Sequence, residues 1–215
     1  MKKILVLTMG VVCLAASIAA QATTTAQLSV RGTITPAACN LSLGGSGTIT
    51  YDPIASGSLS QTAFNPREEK TTTLVVNCGN SPAKFGLSLK DLQGHTKVAG
   101  ILGTGFTEAQ NYGLGGVGNR HTGGYSVTLR DLRAAGTVLS PIVRVGAGAW
   151  QNSDGRVAQS PSQYSWRTGV TVAPASIAQL TGVIAVRAVI NRGQALDLTR
   201  DITLDGRATL ELSYI

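Results

Sequence analysis

Gly113-Leu114-Gly115-Gly116-Val117-Gly118 has the GxGxxG spacing that can cradle a dinucleotide pyrophosphate, and Asp131 follows near the distance expected of a ribose-binding carboxylate. That chemistry needs a strand before the glycines and a helix after them, because the pyrophosphate rests on the helix N-terminus. Thr107 to Tyr112 does not alternate as a strand would, and Gly123-Gly124 leaves no room for a helix. The motif therefore reads as a flexible glycine-rich loop, and no cofactor is expected. His95 and His121 stand in polar sequence without carboxylates at ligand spacing, so no metal site is expected. No GxSxG is present to announce a hydrolase nucleophile. Asn152-Ser153-Asp154-Gly155 lacks the further oxygen ligands and closing Glu of a calcium loop and reads as a turn. No residue set argues for catalysis, and the chain is read as a non-enzyme.

Of three cysteines, Cys13 falls in an N-terminal export signal. Lys2 and Lys3 precede an apolar run from Ile4 to Ala16, and Ala20-Gln21-Ala22 offers a small-x-small cleavage site. Residues 1–22 are expected to be removed. The run is shorter than the ~20 residues that span a bilayer, and no later stretch could do so. Cys39 and Cys78 remain, and an even pair in an exported protein reads as one disulfide. Closing a loop of about 40 residues contributes roughly 3–4 kcal/mol on chain-entropy arguments.

The formal net charge of +7 includes Lys2 and Lys3. The other basic residues, among them Arg31, Lys84, Arg130, Arg144, Arg187 and Arg207, are scattered singly, whereas nucleic-acid binders concentrate charge on one face. No nucleic-acid partner is expected. Charged residues make up 13% of the chain, about half the usual share, and there are 26 glycines. Such a composition suits a strand-rich extracellular protein.

Period-two alternation supplies the scaffold. It aligns Leu28, Val30, Gly32 and Ile34; Thr72, Leu74, Val76 and Cys78; Ala83, Phe85, Leu87 and Leu89; Tyr125, Val127 and Leu129; and Ile184, Val186, Ala188 and Ile190. The last alternation runs through Ile202, Leu204, Gly206, Ala208, Leu210, Leu212 and Tyr214. Turns are expected at Asn80-Ser81-Pro82, Asp154-Gly155, Asn191-Arg192-Gly193 and Asp205-Gly206. Only Leu129 to Ala135 and Ala175 to Leu180 have helical potential. Residues 93–124 and 146–169 read as long surface loops. Many short alternating strands with glycine-rich turns predict an all-β sandwich.

The two ends resemble a family. "LSVRGTITPAAC" follows the apolar-x-apolar-x-Gly-x-apolar start of pilin subunits of the chaperone–usher pathway, with Cys39 shortly after. "TYDPI", "LVVNC" and "DGRATLELSYI" continue the likeness, and Tyr214 matches the family's penultimate aromatic residue. The similarity is greatest to a fimbrial-like branch classed as a domain of unknown function.

The resemblance implies an immunoglobulin-like, pilin-type sandwich over 38–215 that lacks one strand and is completed by a strand from another chain. It implies that 23–37 is an N-terminal extension whose Leu28, Val30, Gly32 and Ile34 form a donor strand. Gly206, Ala208, Leu210, Leu212, Tyr214 and Ile215 would then border the groove that a periplasmic chaperone occupies first and a neighbouring pilin subunit later, at the outer-membrane usher. The implied role is a structural fimbrial subunit, exported to the periplasm and then carried to the cell surface for adhesion. An alternative is a tip or adaptor adhesin that binds a glycan or surface protein through loops 93–124 and 146–169, with Tyr112, Trp150 and Trp166 as contacts.

Overall fold

The computed structural model describes residues 26–33 and 38–215; the expected signal segment and Ile34 lie outside them. Contacts divide the chain into Met1–Thr35 and Pro36–Ile215. In the first unit, residues 26–33 form no strand, and Leu28 and Val30 are each 89% exposed.

The second unit is built of antiparallel strands. In chain order they are β1 (Asn40–Leu43), β2 (Asn65–Asn77), β3 (Phe85–Asp91), β4 (Tyr112–Gly113), β5 (Gly116–Val117), β6 (Arg120–His121), β7 (Gly123–Ala134), β8 (Thr137–Val138), β9 (Ser140–Val145), β10 (Gln151–Asn152), β11 (Ser162–Arg167), β12 (Gln179–Ile190) and β13 (Ala208–Tyr214). One sheet runs β1-β2-β12-β7-β4, with β8 paired to β7; the other runs β10-β9-β11-β3-β13. The two pack as an all-β sandwich, as the alternation predicts, and it is immunoglobulin-like, as the family resemblance implies.

The inward residues are largely those the period-two pattern selects. Leu74, Val76, Phe85, Leu87, Val127, Leu129, Ile184, Ala188 and Ile190 are buried in one core. Cys39 and Cys78 are disulfide-bonded, which ties the entry of β1 to the residue after β2. The same pattern behaves differently at the C-terminus, where Ile202, Leu204, Leu210 and Leu212 are only half-buried.

Several expectations fail for physical reasons. Residues 129–134 belong to β7 and 175–180 lead into β12, and among the described residues there are only short 3-10 turns. Pairing of Ile184 with both Leu129 and Thr72 outweighs a weak local helical preference. Asp205-Gly206 is not a turn. The chain passes through it extended, held by Asp205 N–H donating to the Leu114 carbonyl and by the Arg207 guanidinium forked onto the Asp205 carboxylate.

The segments read as surface loops also carry core. β11 lies inside 146–169, and its Trp166, Tyr164 and Ser165 are buried; the Ser165 hydroxyl donates to the Phe85 carbonyl at 2.8 Å. Within 93–124, Thr96, Ile101, Asn111, Tyr112, Leu114 and Thr122 are buried. Glu108 holds the outer part of this segment: its carboxylate accepts from Gly100 N–H and from the Asn111 amide. These bonds, the Gly100 one foremost, hold its carboxyl below the ordinary value. A depressed carboxyl stabilises the fold above its unfolded pKa and ceases to do so as pH falls through the folded value. Tryptic cutting after Lys97 is therefore expected to be slow at neutral pH. A pulse at pH 3, followed by hydrogen exchange, should show residues 98–111 opening before the strands. Equal protection at both pH values would contradict this role.

Candidate strand-docking groove

β13 is the last strand of its sheet. All seven of its residues pair with β3, from Ala208 opposite Asp91 to Tyr214 opposite Phe85. Its flanking bonds, Leu92 N–H to the Arg207 carbonyl and Ile215 N–H to the Lys84 carbonyl, lie on the β3 side as well. Among the described residues its outer edge pairs with no strand. Beyond that edge the inner face of the first sheet is not roofed by a strand but lines a groove. Its floor is Tyr125, Val127, Ile184, Val186 and Ala188.

Two runs of chain form the walls. Residues 48–52 alternate exposed and half-buried, as do 201–204, and Ile49, Tyr51, Ile202 and Leu204 turn inward. Neither 49–54 nor 198–204 makes a backbone–backbone hydrogen bond among the described residues. Both are extended chain without a ladder. The space between them comprises two adjoining hollows of about 770 and 190 Å³ that share Ile49, Tyr51 and Leu204. Water-exposed backbone of this kind offers donors and acceptors to an incoming strand.

The first wall is anchored by Tyr51. Its hydroxyl donates to the Glu68 or Val186 carbonyl and accepts from Ala188 N–H, all at 3.2 Å, where the β2–β12 register shifts between Arg187 and Val189. The hydroxyl fills the polar gap that the bulge opens. Tyr51→Phe leaves those backbone groups unmatched and is expected to cost about 1–3 kcal/mol in urea unfolding. A change below about 0.5 kcal/mol would show that water replaces the hydroxyl.

On the opposite wall Gly206 closes onto the floor. A Cβ there would come within 2.6 Å of the Tyr125 ring, so the position takes no side chain without displacing the aromatic pair of Tyr125 and Tyr112 stacked at 5.2 Å. Burial raises both phenols, and they have no role as proton donors near neutrality. Leu210 and Ala208 line the groove, whereas Leu212 packs half-buried on the core. Tyr214 is half-exposed, and its hydroxyl accepts from Cys39 N–H at 2.7 Å. The end of β13, with Ile215 beyond it, is thus joined to Cys39 at the entry of β1, beside the disulfide.

The other candidates separate. Tyr112 and Trp166 are fully buried, which removes them as ligand contacts; Trp150 is half-buried with the Arg144 guanidinium 4.8 Å from its ring centre. Of the GxGxxG glycines, Gly113 and Gly115 serve packing in the β4–β6 region, whereas Gly118 is open to solvent in the turn between β5 and β6. A Cβ on Gly113 would collide with the Gln93 carbonyl, and Gly115 has φ +80°. His121 Nδ1 lies 3.3 Å from the Lys97 carbonyl, and His95 is the middle residue of a 3-10 turn, Gly94–Thr96. Cys39 and Cys78 are consumed by their bond. Sequence reasoning missed the floor and wall residues Ile49, Tyr51, Ile54 and Leu114. The alternation of "TITY" was the only signal available for the first two.

A family model described as a protein of unknown function (DUF1120) matches residues 28–127, from the N-terminal segment through the disulfide to the middle of β7. A search of curated proteins found no match. No helix among the described residues is long and apolar enough to cross a membrane.

Proposed function

We propose that this protein is a structural subunit of a surface fibre, assembled through the chaperone–usher route by strand exchange. The observation that carries the reading is the outer edge of β13, unpaired among the described residues, above an apolar floor and flanked by two extended runs that have no backbone partners among those residues. A strand laid there would pair with β13 and cover Tyr125, Val127 and Val186, the β-augmentation mode of binding. Residues 23–37 of a neighbouring subunit supply the needed pattern in Leu28, Val30, Gly32 and Ile34, and the described part of that pattern is solvent-exposed. Before assembly a periplasmic chaperone fills the groove, since an open apolar edge invites aggregation. The disulfide and the export signal fit passage through an oxidising periplasm to the cell surface.

Expression of the full chain with and without a periplasmic chaperone of this pathway tests the reading. A stable one-to-one complex, and degradation of the lone subunit, are expected. A soluble, long-lived monomer that ignores the chaperone would refute it.

A further inference from the structure

The groove carries charge on its rims that the N-terminal segment answers. In each wall, the residues that alternate with the inward Ile49, Tyr51, Ile202 and Leu204 face solvent, and these include Asp52 on one side and Asp201 on the other. Asp201 has no ion-pair or hydrogen-bond partner among the described residues, because the neighbouring Arg200 is bonded to Asp197 at 2.9 Å. Asp52 is 91% exposed, with only a loose 3.8 Å approach from Lys70, which lies closer to Glu68 at 3.4 Å.

Residues 23–37 contain a single charged side chain, Arg31. On a strand whose Leu28, Val30, Gly32 and Ile34 point to the floor, Arg31 points the other way. It then lies on the same outward face as Asp52 and Asp201. Cross-strand neighbours on one face stand about 5 Å apart, within reach of a guanidinium.

We propose that the occupant of the groove is residues 23–37 of a second copy of this chain, and that Arg31 of that copy sets its register against Asp201, with Asp52 as the second acceptor. The inference rests on the strand-exchange reading above and adds the partner's identity and the residues that select it. Apolar contacts alone do not specify the register tightly here. A two-residue slip keeps alternate side chains inward and moves Gly32 from one floor position to the next. The slip carries the arginine about 7 Å along the rim, away from Asp201, so charge decides what alternation leaves open. Asp201 also disfavours a strand with an acidic residue at that position, which selects against donors that carry one there.

The test uses the full chain purified as its complex with a periplasmic chaperone, and follows the exchange of fluorescent peptides of residues 23–37 into the groove by anisotropy at 20 and 500 mM NaCl. The native peptide is expected to bind, and an Arg31→Glu peptide to bind about tenfold more weakly at low salt, with the gap closing at high salt. Asp201→Lys in the chain should reverse the preference, so that the Arg31→Glu peptide binds better than the native one. Equal affinity of both peptides for the native chain, or no reversal with Asp201→Lys, overturns the register assignment while leaving strand exchange intact. Failure of every peptide to bind overturns both. The peptides carry the key change, so a folding defect cannot mimic the result, and circular dichroism of the Asp201→Lys chain confirms its strands.

Discussion

A chain without residues 23–34 is expected to form no fibres, yet to gain stability when a peptide of residues 23–37 is supplied. Burying Leu28, Val30 and Ile34 in a groove contributes about 1.5–3 kcal/mol each, or roughly 5–9 kcal/mol together. Association and ordering remove several kcal/mol of that. The remainder is still a large share of the ~5–15 kcal/mol stability of a typical domain. At saturating peptide the melting temperature should rise by about 10 °C or more, on the scale of 2–4 °C per kcal/mol for a domain of this size. Electron microscopy of fibres and thermal melts of the truncated chain measure the two halves. Normal fibres from the truncated chain, or a melt indifferent to peptide, would remove the case for strand exchange. Leu28→Asp in the full chain should reproduce most of the loss, because a charge cannot enter the apolar floor without a partner.

Trp166→Ala is expected to be the most damaging single substitution within the sandwich. Its ring is fully buried on β11 and meets Phe85 of β3 edge-on, with centroids 4.9 Å apart. Among the described residues β3 is the only strand that holds β13, so a cavity at Trp166 loosens the support of the groove edge. Removing a buried Trp costs about 3–5 kcal/mol, a large part of the total. Chemical unfolding followed by near-ultraviolet circular dichroism should show it directly. Trp166→Phe is expected to cost less than half as much. The indole Nε1 has no hydrogen-bond partner among the described residues, so the replacement forfeits volume but no bond seen there. A Phe variant as weak as the Ala variant would mean that indole shape, not aromatic burial, is decisive.

The contrast between β11 and β3 shows why some core was legible and some was not. Phe85, Leu87 and Leu89 alternate with small or polar residues and announce a strand with one buried face. In "SQYSWR" the inward set is Ser162, Tyr164 and Trp166, and an additional buried Ser165 faces the other way. Its burial depends on a hydrogen bond to Phe85, eighty residues distant, which no local pattern encodes. The glycines of "GLGGVG" carry the opposite lesson. Their spacing mimics a cofactor motif, but Gly113 is required by the approach of the Gln93 carbonyl.

The amino-acid order alone determined the all-β class, the disulfide between Cys39 and Cys78, most inward faces of β2, β3, β7 and β12, and the presence of two apolar alternating ends. These follow from local rules, since a two-residue period selects a face whatever the partner. Only the tertiary structure decided that β13 is an outermost strand, that residues 48–54 and 198–204 face a groove without ladders of their own, and that Asp52 and Asp201 stand on its rims. An edge is a property of sheet order, and sheet order is set by long-range pairing between residues far apart in the chain. The alternating pattern in β13 is the same as in a central strand; what it lacks, among the described residues, is a second neighbour.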